Sequence, residues 1–160
     1  MNEDQFWTAI EAAWQKVGGY HTERSSLALG KLSEANAEKL VGVADEVVAV
    51  LRTWLDTLSP GDLLAFDRIL ERKLYDIDRA EVQRATDGGD DGFLYARGLI
   101  IAAGKAYFDA VNQKPSTAMM GLQCEDMCYL SWHLYQEKFG ELPESEISRE
   151  SCSNAQGWEK

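Results

Sequence analysis

The residues from Thr86 to Gly98, TDGGDDGFLYARG, bring three aspartates, four glycines and an arginine into one short stretch. Such a set could hold a calcium ion, cradle a phosphate, or form a carboxylate–arginine pocket. A calcium loop needs ligands at alternating positions and a closing bidentate Glu. Asp87, Asp90 and Asp91 lack both the alternation and the length. A dinucleotide turn needs a strand before it, and none is predicted. Phosphate at a helix N-terminus would be repelled by the two carboxylates placed there. A helix-starting turn remains: Gly88 and Gly89 bend the chain, and Asp90 or Asp91 caps the helix and complements its dipole.

Arg97 adds to this. It lies seven residues after Asp90 and four after Phe93, so these groups can share a helical face. An arginine in so apolar a helix needs a partner if it is buried. Asp90, Asp91, Glu125 and Asp126 are the candidates, and a bidentate pair is the expected form. Two readings stay open: a structural ion-pair cluster, or a polar binding cluster of Asp87, Asp90, Asp91, Arg97 and Glu125.

Other chemistry-bearing residues point elsewhere. Cys124 and Cys128 are four apart on a predicted helix, and His133 is turned away from both, so the three form no single metal face. Buried, inert thiols are expected, and no metal or cofactor. With only His21 and His133, and no serine in a nucleophile-elbow pattern, no catalytic residue is assigned and the reading leans away from an enzyme. Trp14, Trp54 and Trp132 fall on predicted buried faces, Trp7 points partly outward, and Trp158 lies in a polar tail.

The elements that would position these groups are all helical. Asn2 and Gln5 make a capping-box pair, Phe6, Ile10, Trp14 and Val17 follow at helical spacing, and Gly18-Gly19 stops the run. Tyr20 to Lys31 is a loop or short helix. Ser33 caps a long helix, about Glu34 to Leu58. Ser59-Pro60 starts another, with Leu63, Phe66, Ile69, Leu70 and Leu74 or Tyr75 as its buried stripe. A short helix, about Asp78 to Arg84, precedes the glycine pair. The most apolar helix is expected over Asp91 to Asn112, and the last over Glu125 to Phe139. No strand pattern is present. The expectation is an all-α, single-domain bundle of five or six helices over 1–143, with a polar, flexible tail over 144–160.

Composition narrows the partners. The chain has 160 residues and a formal net charge of −11. Duplex DNA, with one negative charge per ~1.7 Å, would repel it. Anionic membrane is excluded on the same ground, and the longest strongly apolar run, Leu99–Ala103, is far short of a membrane span. A basic protein is the better partner, because opposite charge steers encounter. Acidic residues in the opening MNEDQFW, where a signal peptide is basic, and three cysteines, an odd count, set the expected location as the cytoplasm.

Four pieces resemble the bacterial "domain of unknown function forty-two forty" family: Phe6-Trp7, LLAFDRILERKLYDIDRAEV at Leu63–Val82, GGDDGFLYARGLI at Gly88–Ile100, and CEDMCYLSWHLYQEKFGELP at Cys124–Pro143. The chain departs from the pattern in having no residues between the glycine pair and the aspartates, and Leu99 and Ala96 where aromatics are usual. The resemblance implies a helical fold and carries no activity. The expected function is a non-catalytic acidic protein-binding domain, an immunity- or antitoxin-like protein that neutralises a basic effector. Its contact set would be Asp87–Asp91 with Glu141, Glu144 and Glu146. The alternative is a small-ligand binder or enzyme with the carboxylate–arginine pocket at the start of the central helix. A homo-oligomer is the third reading.

Overall fold

The computed structural model describes residues 1–86 and 88–159, and for Asp90 the backbone alone. Among these residues the chain is entirely helical: α1 (Glu3–Lys16), α2 (His21–Ala28), α3 (Glu34–Leu55), α4 (Pro60–Asp76), α5 (Ala80–Thr86), α6 (Asp90–Ala102), α7 (Lys105–Gln113), a 3-10 turn (Pro115–Thr117), α8 (Glu125–Phe139) and α9 (Ala155–Trp158). The nine α-helices exceed the expected five or six. No described helix is long and apolar enough to cross a membrane.

The start signals act as their chemistry requires. Gln5 N donates to Asn2 Oδ1 at 2.9 Å and Asn2 N to Gln5 Oε1 at 2.8 Å, closing the capping box of α1. Asp62 N donates to Ser59 Oγ at 3.2 Å, with Pro60 in the first turn of α4. Each cap contributes about 1 kcal/mol. Burial contributes more: Phe6, Trp14, Leu51, Phe66, Leu70, Phe93 and Met127 are fully enclosed, at ~1.5–3 kcal/mol for a buried Val, Leu, Ile, Phe or Met side chain.

The extra helices arise where local signals are weak or conflicting. Tyr20–Lys31 contains α2, and α9 is a single turn in the tail. The expected helix over Asp91 to Asn112 is two helices, α6 and α7, broken at Gly104 (φ 107°). The break frees carbonyls that a continuous helix would have bonded internally, and residues from outside take them. Trp14 Nε1 donates to Ala102 O at 2.7 Å, and Arg24 Nε to Ala103 O at 3.0 Å. Glu11 holds the Arg24 guanidinium at 2.6 Å. A Cβ on Gly104 would stand 2.5 Å from Arg24 Nη2, so space and φ both require glycine.

Helix α6 is the central element and packs most extensively on α8. Gly98 permits this, since a Cβ there would lie 2.4 Å from Cys124 O and 2.6 Å from Cys128 Sγ. The tryptophans divide differently from expectation. Trp7 and Trp14 are buried, while Trp54 and Trp132 are half-buried at the rims of grooves. Trp158 packs edge-on against Phe93 at 5.9 Å. The segment after Pro143, expected as a flexible tail, lies across α4, α6 and α8 and sends Arg149 into the interior.

Candidate functional site

The residues singled out in the sequence fall into two groups facing different ways. Asp87 lies outside the described residues, as does the Asp90 side chain. Gly88 and Gly89 form the turn before α6, where a Cβ on Gly88 would meet Phe93 N at 2.5 Å. Asp91 is exposed in the first turn of α6, and Glu125 is exposed at the start of α8. Tyr95 connects them: its partial burial, with the Glu125 carboxylate beside it and Asp91 near, raises the phenol above its ordinary value. The acids therefore make a surface patch.

Arg97 turns the other way. It is 0% exposed and lies with its Cζ 4.6 Å from the centre of the Phe93 ring. Its Nη1 donates to Leu74 O at 2.8 Å and its Nη2 to Ser151 Oγ at 3.1 Å. Burial pushes the guanidinium below its ordinary value, and the Asp78 carboxylate opposes that shift. The expected ion pairs of Arg97 with Asp91, Glu125 or Asp126 do not form: Asp91, six residues earlier on α6, is turned about 120° away at ~100° per residue, and Glu125 and Asp126 are exposed at the start of α8. The carboxylate–arginine opening at the start of the central helix is thus not assembled from Asp91, Glu125 and Arg97.

Glu141, Glu144 and Glu146 are exposed beyond the far end of α8. The 15 residues of α8 span about 22 Å at ~1.5 Å per residue, so the two acidic groups flank the helix rather than merge.

The cysteines behave as expected of core residues. Cys128 Sγ donates to Leu94 O at 3.3 Å, and Cys124 Sγ to Asp45 Oδ1 at 3.7 Å. Burial raises both thiols to about 12. Among the described residues no cluster of three or more His, Cys, Asp and Glu could hold a metal ion.

Two features escaped sequence reading. One is a cavity of 480 Å³ between α1 and α3, floored by Ala9, Ala13, Leu51 and Trp54, with Lys16 and Asp62 on its rim. The other is a buried charge network. Asp67 (0% exposed) and Glu71 (6%) on α4 face Arg149 (5%) from the segment after Pro143. Arg149 Nη2 donates to Asp67 Oδ2 at 2.8 Å, and Ser131 Oγ donates to Asp67 Oδ1 at 2.8 Å. Its signal in the sequence was slight: Asp67 and Glu71 fall four and eight residues after Leu63, inside the apolar stripe of α4. Nearby, the buried Asp78 carboxylate accepts Cys152 N at 3.0 Å, Asn154 N at 2.9 Å and Trp158 Nε1 at 3.1 Å, fastening the end of that segment.

Fold and surface together define an acidic, all-α domain with its charge patches at the two ends of α8. A family model described as "Protein of unknown function (DUF4240)" matches residues 39–137, more than half of the chain, and the chain belongs to that family. No curated protein and no solved structure matches it.

Proposed function

We propose that the protein is a non-catalytic, acidic binding domain that recognises and neutralises a basic protein partner, in the manner of an immunity protein or antitoxin. One observation carries this reading. The carboxylates of Asp91, Glu125, Glu141, Glu144 and Glu146 are exposed and meet no cation among the described residues, while Arg24, Arg52, Arg68, Lys73, Arg79, Lys105, Lys138 and Arg149 are engaged in internal ion pairs. Those eight are half of the 16 lysines and arginines, and with a net charge of −11 the exposed acids dominate the surface field. Such a surface speeds encounter with a basic protein and suppresses acidic competitors.

Affinity capture from lysate of the source cells tests this. The tagged wild type is run beside two folded variants, Asp91→Lys/Glu125→Lys and Glu141→Lys/Glu144→Lys/Glu146→Lys. A stoichiometric basic partner is expected on the wild type, weakened roughly tenfold or more by charge reversal, corresponding to ~1.4 kcal/mol. A partner held equally by all three proteins removes the electrostatic reading.

A further inference from the structure

The surroundings of Arg149 form a complete receptor for a guanidinium group. Nη2 donates to Asp67 Oδ2 at 2.8 Å and stands 3.6 Å from Glu71 Oε1. Nη1 donates to Cys128 O at 2.8 Å, and Cζ lies 5.6 Å from the centre of the Tyr129 ring. Ser131 Oγ holds the other oxygen of Asp67. Two carboxylates, a carbonyl and an aromatic face match the planar, donor-rich cation and no other side chain as well. Arg68, 3.2 Å from Glu71 Oε2, supplies one countercharge, so two acids and two arginines balance when Arg149 is in place.

Receptor and plug belong to different parts of the chain. Asp67, Glu71, Cys128, Tyr129 and Ser131 lie within the span matched by the family model, residues 39–137, and Arg149 lies outside it. A 290 Å³ cavity opens beside the guanidinium between Tyr129, Trp132 and the 142–150 segment, giving access from solvent. The stretch from Gly140 to Glu146, exposed except for the half-buried Leu142 and touched by Arg68 at the Pro143 and Glu144 carbonyls, leads into the segment, and Asp78 fastens the backbone beyond it at Cys152 and Asn154. Lifting residues 144–150 would therefore empty the receptor without releasing the anchor. For stability alone the arrangement is a poor choice, because well-packed apolar residues of similar volume commonly do as well as a buried ion pair.

We propose that Asp67, Glu71, the Cys128 carbonyl and the Tyr129 ring form a binding site for an arginine side chain of the basic protein partner, and that Arg149 keeps the site filled until that arginine displaces it. The identity of the partner's arginine rests on the function proposed above. The receptor itself is tested without any partner, so its failure is distinct from failure of the surface-charge reading.

The test uses the full chain carrying Arg149→Ala, titrated with methylguanidinium and, at matched ionic strength, methylammonium. Binding is followed by NMR shifts at Tyr129 and Ser131 and by thermal melting. Saturable methylguanidinium binding with a rise in Tm is expected, with no response to methylammonium. In Arg149→Ala/Asp67→Asn the affinity should fall roughly tenfold or more. In the wild type, an N-acetylated tetra-arginine amide should shift the same resonances and its tetra-lysine counterpart should not. A folded Arg149→Ala protein that fails to bind methylguanidinium overturns the site. Wild-type shifts that are equal for both peptides, or absent, overturn the exchange. Where Arg149→Ala does not fold unaided, recovery of its folded signal by methylguanidinium alone supports the site, and no recovery overturns it.

Discussion

At the scale of single residues, the thiols separate by environment. Cys124, just before α8, and Cys128, within it, are buried and held at about 12, while Cys152 is exposed. Alkylation requires thiolate and access. Native protein treated with iodoacetamide near neutral pH should therefore take one equivalent, at Cys152, and all three only when unfolded, as peptide mass spectrometry would show. The same shifts fix an alkaline limit. A thiol raised from 9.0 to about 12 keeps its proton longer in the fold than in the unfolded chain. Stability is then level below about pH 9 and falls as pH rises toward 12. Tyr107, raised by burial from 10.0 to about 12, acts in the same direction. Urea unfolding across that window should show a steadily falling midpoint; a flat profile would contradict the burial of these groups.

At the scale of helices, two glycines with the same residue type have opposite roles. Gly98 lies where α6 touches α8, and an added methyl would meet the Cys124 carbonyl and Cys128 sulfur. Gly98→Ala should destabilise by about 1–3 kcal/mol, the usual cost of overpacking. Gly42 sits inside α3, exposed, with nothing within 4 Å of an added Cβ. Gly42→Ala should stabilise by up to ~1 kcal/mol through helix propensity. Urea denaturation of the two variants decides both, and equal effects would refute the close helix approach. These cases also show what the sequence could convey. Helices α1 and α4 were legible because a side-chain cap and an apolar period agree locally, and α8 because its aromatic and apolar run ends at Gly140. The break at Gly104 was not, because its cause is Arg24, on a helix 80 residues earlier. Within an apolar run, a glycine required by a distant guanidinium looks like one tolerated for packing. The pairing of Asp67 with Arg149 was hidden for the same reason, at a separation of 82 residues. Arg97 was correctly marked as needing a partner, yet its neighbours proved to be Leu74, Asp78 and Ser151 rather than the nearby acids.

At the scale of the whole molecule, the net charge of −11 acts against compactness through self-repulsion. Added salt shortens the reach of that repulsion, to ~10 Å at 0.1 M. The internal ion pairs that matter most, around Asp67, are buried and little screened. Tm should therefore rise between low and moderate sodium chloride, measured by calorimetry. A fall would mean that exposed pairs such as Arg52–Glu137 outweigh the excess of acids.

The segment that carries Arg149 has a further consequence for the order in which the molecule can be completed. A chain under synthesis presents Asp67 82 residues before Arg149, an interval of roughly 4–16 s at ~5–20 residues per second. During that time α4 can pack its apolar stripe only at the cost of a buried, half-compensated acid, a penalty of about 3–5 kcal/mol for a broken buried pair. Asp78 waits nearly as long, 74 to 80 residues, for Cys152, Asn154 and Trp158. The guanidinium receptor is complete only once Cys128 and Tyr129 have been added, 21 residues before Arg149 in the case of Cys128, so in a growing chain it stands assembled but unfilled for roughly 1–4 s.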